Sequence, residues 1–144
     1  MNTLLTASAG LVSAWITVNV VTSIIPVVAF MKAVPEIRTA EIYRAEVFGY
    51  KPRNCNLVKG SMIGWHFDGK VWVEDARLTF PDDQTPDSTR PGSFERQSFG
   101  LWQWEVTPQT TKVRATAQHS CDGSQPFTTI IGPFDVPVVS KEKT

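Results

Sequence analysis

The residues of this chain best suited to metal chemistry are two cysteines, Cys55 and Cys121, and two histidines, His66 and His119. Thiolate and neutral imidazole are ligands that zinc prefers, so the four compose a Cys₂His₂ set on paper. Spacing argues against it, because the chain has no closely spaced Cys pair and no closely spaced His pair. Only His119 and Cys121 would share a strand face. An even cysteine count outside an apolar segment points instead to a disulfide made in an oxidising compartment. Two buried free thiols in a cytosolic domain are the competing reading.

Other constellations are weaker. His119, Ser120 and Asp122 are near neighbours, but consecutive strand residues point to opposite faces and cannot form a hydrogen-bonded triad. Gly60-Ser61-Met62-Ile63-Gly64 lacks the central serine of a nucleophile elbow. There is no phosphate loop, dinucleotide fingerprint or zinc-protease helix. Asp82, Asp83 and Asp87 give a proline-rich loop some oxygen ligands, yet match no calcium-loop spacing, and turn formation accounts for them. We therefore expect no enzyme, no cofactor and no metal. Of the tryptophans, Trp102 and Trp104 share one face and read as core. Trp72 is the better candidate for an exposed aromatic, the kind of side chain that stacks on a sugar or a protein partner.

The elements that must carry these residues divide unevenly. From Met1 through Met31 there is no Asp, Glu, Lys, Arg or His. Spanning a hydrocarbon core takes about 20 mostly apolar helical residues. Residues 1–34 are therefore expected to form a hydrophobic helix, with 35–41 as linker, 42–137 as a β-sandwich domain and 138–144 as a polar tail. Three readings of the helix compete: a retained single-pass transmembrane anchor, a cleaved signal peptide, and a helix packed in an assembly. Retention is favoured, because there is no positive n-region and no clear small-x-small cleavage site. Lys32 and Arg38 flank the C-terminal side and argue for a cytoplasmic domain. The cysteines argue for an extracytoplasmic one, periplasmic or extracellular, and two flanking charges are the thinner argument. Thr3, Thr6, Gly10, Ser13 and Thr17 would line one helix face and could support a helix-mediated oligomer; ordinary scatter of small residues is the simpler account.

The 14 basic and 14 acidic residues cancel and are interspersed, so neither nucleic acid nor an anionic surface is favoured by charge. Behind the apolar segment the pattern is strand and turn. Tyr43, Ala45 and Val47 alternate with Arg44 and Glu46. Asp68-Gly69 sits between apolar runs, the signature of a type I′ hairpin turn. Residues Pro81 to Gly92 are too proline-rich for a central strand and are expected to be a variable contact loop. Trp102, Trp104 and Val106 share a face, Thr107 to Thr110 is a turn, and Val113 to Cys121 is the cleanest strand. Phe127 to Ile131 returns beside it. The fold class expected is mainly β, an antiparallel sandwich of about seven strands.

Cys55, Trp65 ten residues later and Cys121 together resemble the Cys…Trp…Cys spacing of immunoglobulin-like domains, over residues 41 to 137. The resemblance implies a disulfide joining two sheets. It departs at His119, where that family carries a tyrosine. Closing such a loop stabilises by about 4 kcal/mol in the chain-entropy model. A second resemblance rests on Arg-Pro-Gly-Ser-Phe from Arg90, Gln-Ser-Phe-Gly-Leu-Trp, His-Ser-Cys-Asp-Gly and Ile-Gly-Pro-Phe. These are similar to small uncharacterised proteins with an N-terminal apolar segment encoded by marine bacteriophages and their hosts, a setting without an established activity. The function expected is a non-enzymatic, membrane-anchored extracytoplasmic domain for binding or envelope interaction, with a protein or glycan partner. The alternatives are a secreted carbohydrate-binding module and a structural subunit of an oligomer or virion that assembles through its apolar helix.

Overall fold

The computed structural model describes residues 26–75, 77–82, 90–121 and 125–139. Eight strands follow one another: β1 (Ala29–Arg38), β2 (Ile42–Lys51), β3 (Cys55–Leu57), β4 (Ile63–Phe67), β5 (Trp72–Asp75), β6 (Ser93–Glu105), β7 (Lys112–Cys121) and β8 (Phe127–Asp135). One sheet has the order β1-β2-β6, and the other gathers β3, β4, β5 and β8 around β7. All pairings are antiparallel. β8 runs along β7 from Lys112 to His119, so β3 and β4 share β7's other edge in succession, β3 at its Cys121 end and β4 at its Lys112 end.

The apolar stripe of each sheet turns inward. Tyr43, Ala45 and Val47 from β2, and Trp102 and Trp104 from β6, meet Val113, Ala115 and Ala117 from β7 with Ile131 and Phe134 from β8. Both indoles are fully buried. They fit because the strand facing them carries alanines, large against small across a sheet spacing of about 10 Å. Each indole N–H has an acceptor: Trp102 donates to the Phe99 carbonyl at 2.8 Å, and Trp104 donates to the Arg114 carbonyl of the opposite sheet at 3.1 Å.

Two glycine bulges extend this core beyond strict alternation. Phe99 and Trp102 are three residues apart, yet both are buried. The register slips by one residue between Phe48↔Ser98 and Glu46↔Leu101, and Gly100 absorbs the slip at φ +85°. Ile131 and Phe134 share the core in the same way, across a slip opposite Val113 and Ala115 where Gly132 has φ +111°. A bulge residue in the left-handed region is the position glycine fills without steric cost.

Two expectations need correction. Cys55 and Cys121 are bonded, but they are register partners on β3 and β7, so the bridge lies within one sheet and does not join two. Their Cα atoms stand 4.2 Å apart, the spacing of a non-hydrogen-bonded antiparallel pair. Trp65 pairs with Arg114 on the outward side of β7, while Trp102 and Trp104 of β6, read as core, are buried. Finally, residues 29–38 are strand where the end of a helix and a linker were expected. β2 offers an open edge whose backbone groups need partners, and Met31 and Ala33 pack on the core. No helix among the described residues is long and apolar enough to cross a membrane, and the expected helix up to residue 25 lies outside the described residues, as does the polar tail from residue 140.

Two measurements test this core. Replacing Gly100 with Ala forces a side chain into the left-handed region and should cost about 1–2 kcal/mol in urea denaturation. The Tyr43 hydroxyl is buried without a hydrogen-bond partner among the described residues, and burial raises its phenol above the ordinary 10.0, the Arg38 charge pulling weakly the other way. The folded protein thus keeps a proton that the unfolded chain gives up. That contribution is intact below pH 10 and is lost as pH rises through the higher folded value. Stability should therefore fall above pH 10 in the natural chain, and Tyr43→Phe should flatten that decline.

Candidate binding surface

Antiparallel strands give the sandwich two ends. The first holds the start of β1, the end of β2, the start of β6 and the disulfide; the second holds the turns β1–β2, β4–β5 and β6–β7 together with the exit of β8. The apolar N-terminal segment joins at the first end, through Pro26. Val27 is buried there against Cys55 and Cys121. The loop end is the one farther from Pro26.

At the loop end, Asp68 to Val71 connect β4 to β5 as a four-residue loop, since Phe67 pairs directly with Trp72. The expected two-residue type I′ turn needs positive φ at both central residues, and of Asp68 and Gly69 only Gly69, at +95°, has it. Asp68 organises the loop through its side chain instead. Its Oδ1 accepts the Lys70 N–H at 3.0 Å and the Val71 N–H at 3.1 Å, and the Asp68 N–H reaches the Val71 carbonyl at 3.4 Å. The donors from Val71 and Lys70 hold this carboxyl below the ordinary 3.8.

The β6–β7 turn stands alongside. The Thr110 N–H donates to the Thr107 carbonyl at 3.1 Å, the Thr107 N–H donates to Thr110 Oγ1 at 2.9 Å, and the Thr111 N–H ties the turn to the Phe67 carbonyl at 2.9 Å. Arg38 fastens the same end, donating from Nε to the Pro137 carbonyl at 3.1 Å, from one terminal nitrogen to the Thr107 carbonyl at 2.9 Å, and from the other to the Thr39 carbonyl. Between the two loops lies an open cavity of about 660 Å³, lined by His66, Asp68, Lys70, Val73, Thr107 and Gln109. His66 Nδ1 is buried there without a hydrogen-bond partner among the described residues. The lining offers a carboxylate, an ammonium, an imidazole, a hydroxyl and an amide around one valine. That set can donate to and accept from a polar ligand.

A second feature occupies the outer face of the β7 sheet. The Arg114 guanidinium lies 4.2 Å from the Trp72 ring centroid and 5.5 Å from that of Trp65. Phe67 tilts against Trp72 at 5.3 Å. The Trp65 indole N–H donates to Thr116 Oγ1 at 2.9 Å, fixing that ring. Trp72 is thus partly covered by Arg114, less open than expected. Ile63 and Ile130 stand exposed on the same face.

The other expected site residues are scattered. The cysteines are consumed by their bridge. His119 is buried with Nδ1 3.0 Å from Thr129 Oγ1, six residues along β7 from the partner of His66, or about 20 Å of strand. No group of three His, Cys, Asp or Glu among the described residues could hold a metal ion. Asp82 accepts the Leu101 N–H at 3.2 Å. Asp83, Asp87, Asp122 and most of the expected contact loop lie outside the described residues. The loop-end cavity was not anticipated. Its turns were legible as Asp-Gly and Thr-Pro-Gln-Thr, but their adjacency follows from β4 pairing with β7, which no local motif announces. No protein-family model, curated protein or solved structure matches the chain.

The Asp68 loop gives a direct test. The contribution of its carboxylate is present above the ordinary 3.8 and is lost as pH falls through its lower folded value. The protection of the Lys70 and Val71 amides, relative to their intrinsic exchange at each pH, should be lost as pH falls through that value in the natural chain. Asp68→Ala should lack that protection already at neutral pH, with the β6–β7 amides unaffected.

Proposed function

We propose that this protein is a non-enzymatic, membrane-tethered domain that displays its loop end for binding outside the cytoplasm. The observation that carries the reading is the opposition of the two ends: Pro26, at which the charge-free segment joins, and the disulfide lie at one, and the polar cavity of His66, Asp68, Lys70, Thr107 and Gln109 at the other. A disulfide is stable in an oxidising compartment and not in the cytosol, which supports an extracytoplasmic domain. The strand that begins at Ala29 still leaves the 25 residues ahead of Pro26 free of charge, and about 20 suffice to span a bilayer. The lining groups favour a hydrogen-bonding partner, a glycan or a polar protein segment. The immunoglobulin-like resemblance survives as a two-sheet architecture with a different placement of its bridge, and a bacterium or its phage remains the setting that the second resemblance suggests.

A secreted carbohydrate-binding module is the second reading. It is favoured by Trp65, Phe67 and Trp72 on one outer face, since aromatic rings stack on the apolar faces of sugars.

Fractionation with thiol labelling separates the readings. Full-length protein in the membrane fraction, with both cysteines unreactive until reduced, is the expected result. A shortened soluble species with an intact bridge would replace the tether by a signal peptide and favour the secreted module. Reactive thiols in full-length protein would put the domain in the cytoplasm and overturn the proposal. In the same preparation, Cys55→Ser with Cys121→Ser should lower unfolding stability by about 4 kcal/mol, the chain-entropy value for a loop of this length.

A further inference from the structure

The end of the sandwich opposite the polar cavity is apolar and open. Pro26, Ala29, Phe30, Tyr50, Pro52 and Phe94 line a groove of about 950 Å³ there. Phe30 is 88% exposed and Phe94 78%. Water-exposed phenylalanines on a folded surface carry a solvation cost, and two of them around one groove mark a contact site.

Phe30 is not left out by accident of a loose terminus. It is the extra residue of a bulge: Ala29 pairs with Tyr50 and Lys32 with Phe48, so β1 has one residue more than β2 in that interval. Its φ is +51°, a region bulky side chains rarely adopt. The ring is thrown off the sheet and rests edge-on to Tyr50 at 6.1 Å. Aromatic side chains, prolines and a bulge thus converge on one rim. The cations Arg53 and Arg96 lie one residue from Pro52 and two from Phe94 along the chain.

What covers this rim follows from where the chain leads. Pro26 lines the groove, and the 25 residues before it carry no charged side chain. If they span a bilayer, the groove cannot be farther from the lipid surface than that direct connection allows. Aromatic rings with neighbouring cations are the side chains suited to the headgroup layer, rings among the upper acyl carbons and guanidinium groups on phosphates. We propose that the Phe30–Phe94 rim inserts into the membrane interface, seating the domain on the bilayer with its polar cavity directed outward. The proposal rests on the tether reading and adds a second, non-covalent membrane contact to it.

The test uses the full chain in phosphatidylcholine vesicles containing a minority of phosphatidylglycerol. A fluorescent label is attached at Phe94→Cys and, separately, at Phe30→Cys and Gln109→Cys, after checking that Cys55 and Cys121 remain bridged. Spin-labelled lipid should quench the label at positions 94 and 30 several-fold more than at 109, and Phe94→Ser with Phe30→Ser should leave flotation with vesicles intact while freeing the domain to tumble. Equal, weak quenching at all three sites in protein that still floats would overturn the seating and leave the tether standing. Protein that fails to float would overturn both. Labels at 94 and 30 that are shielded from water yet unquenched by lipid would assign the groove to protein, this chain's own apolar segment or a second copy, and also overturn the proposal.

Discussion

Two indoles against two alanines set the dimensions of this molecule. Trp102 and Trp104 fill the space between the sheets only because Ala115 and Ala117 leave it open on β7. Their rings lie 5.8 Å apart, with Tyr43 stacked on one side and Phe80 and Phe134 meeting them edge-on. An indole brings a polar N–H into the core, and leaving that group unpaired would offset much of the benefit of burying the ring. The Gly100 bulge answers part of that demand. It turns Phe99 inward and leaves the Phe99 carbonyl in reach of the Trp102 N–H. The Trp104 N–H bonds across to β7, so one side chain both packs the core and fastens one sheet to the other.

From that centre the two ends are closed by different chemistry. At the loop end Arg38 gathers carbonyls from three connections, Thr39, Thr107 and Pro137, and a planar guanidinium is the group able to do so from one position. At the other end the work is covalent. β3 is only three residues long and would hold β7 weakly by its ladder alone, and the bridge between Cys55 and Cys121 fixes it. Val27 then rests on the bridge, so the first described residues are packed against a covalent cross-link.

Much of this was readable from residue patterns, and the failures share a cause. Alternation located β2, β7 and the inward face of Trp102 and Trp104, because each is a run of regular strand with one wet face. The Cys55–Cys121 bridge was legible from an even count, but not its place within one sheet, since spacing alone says nothing of pairing partners. The bulges at Phe30, Gly100 and Gly132 break the period of two, so pattern reading starts β6 late at Trp102 and would assign Phe99 to the wrong face. Residues 29–34 read as the tail of an apolar helix, and 35–38 as linker, because hydrophobicity cannot tell a strand docking on a sheet edge from a helix of equal polarity. The polar cavity was hidden for the same reason as the bridge: His66 and Asp68 meet Thr107 and Gln109 only after β4 has paired with β7, far on in sequence.

The placement of the chain's entry and exit has a mechanical meaning. Backbone enters beside the disulfide at Pro26 and leaves β8 at Pro137 beside Arg38, at opposite ends of strands roughly 30 Å long. A pull between those points runs parallel to β1 and β8. It shears their ladders, stretching many hydrogen bonds together, where a pull at one end would unzip them singly. β1 also grips through Val27, which abuts a covalent cross-link. A domain strung this way meets a pull along its strands with many hydrogen bonds at once, and gives way most easily to a force that peels β1 sideways from β2.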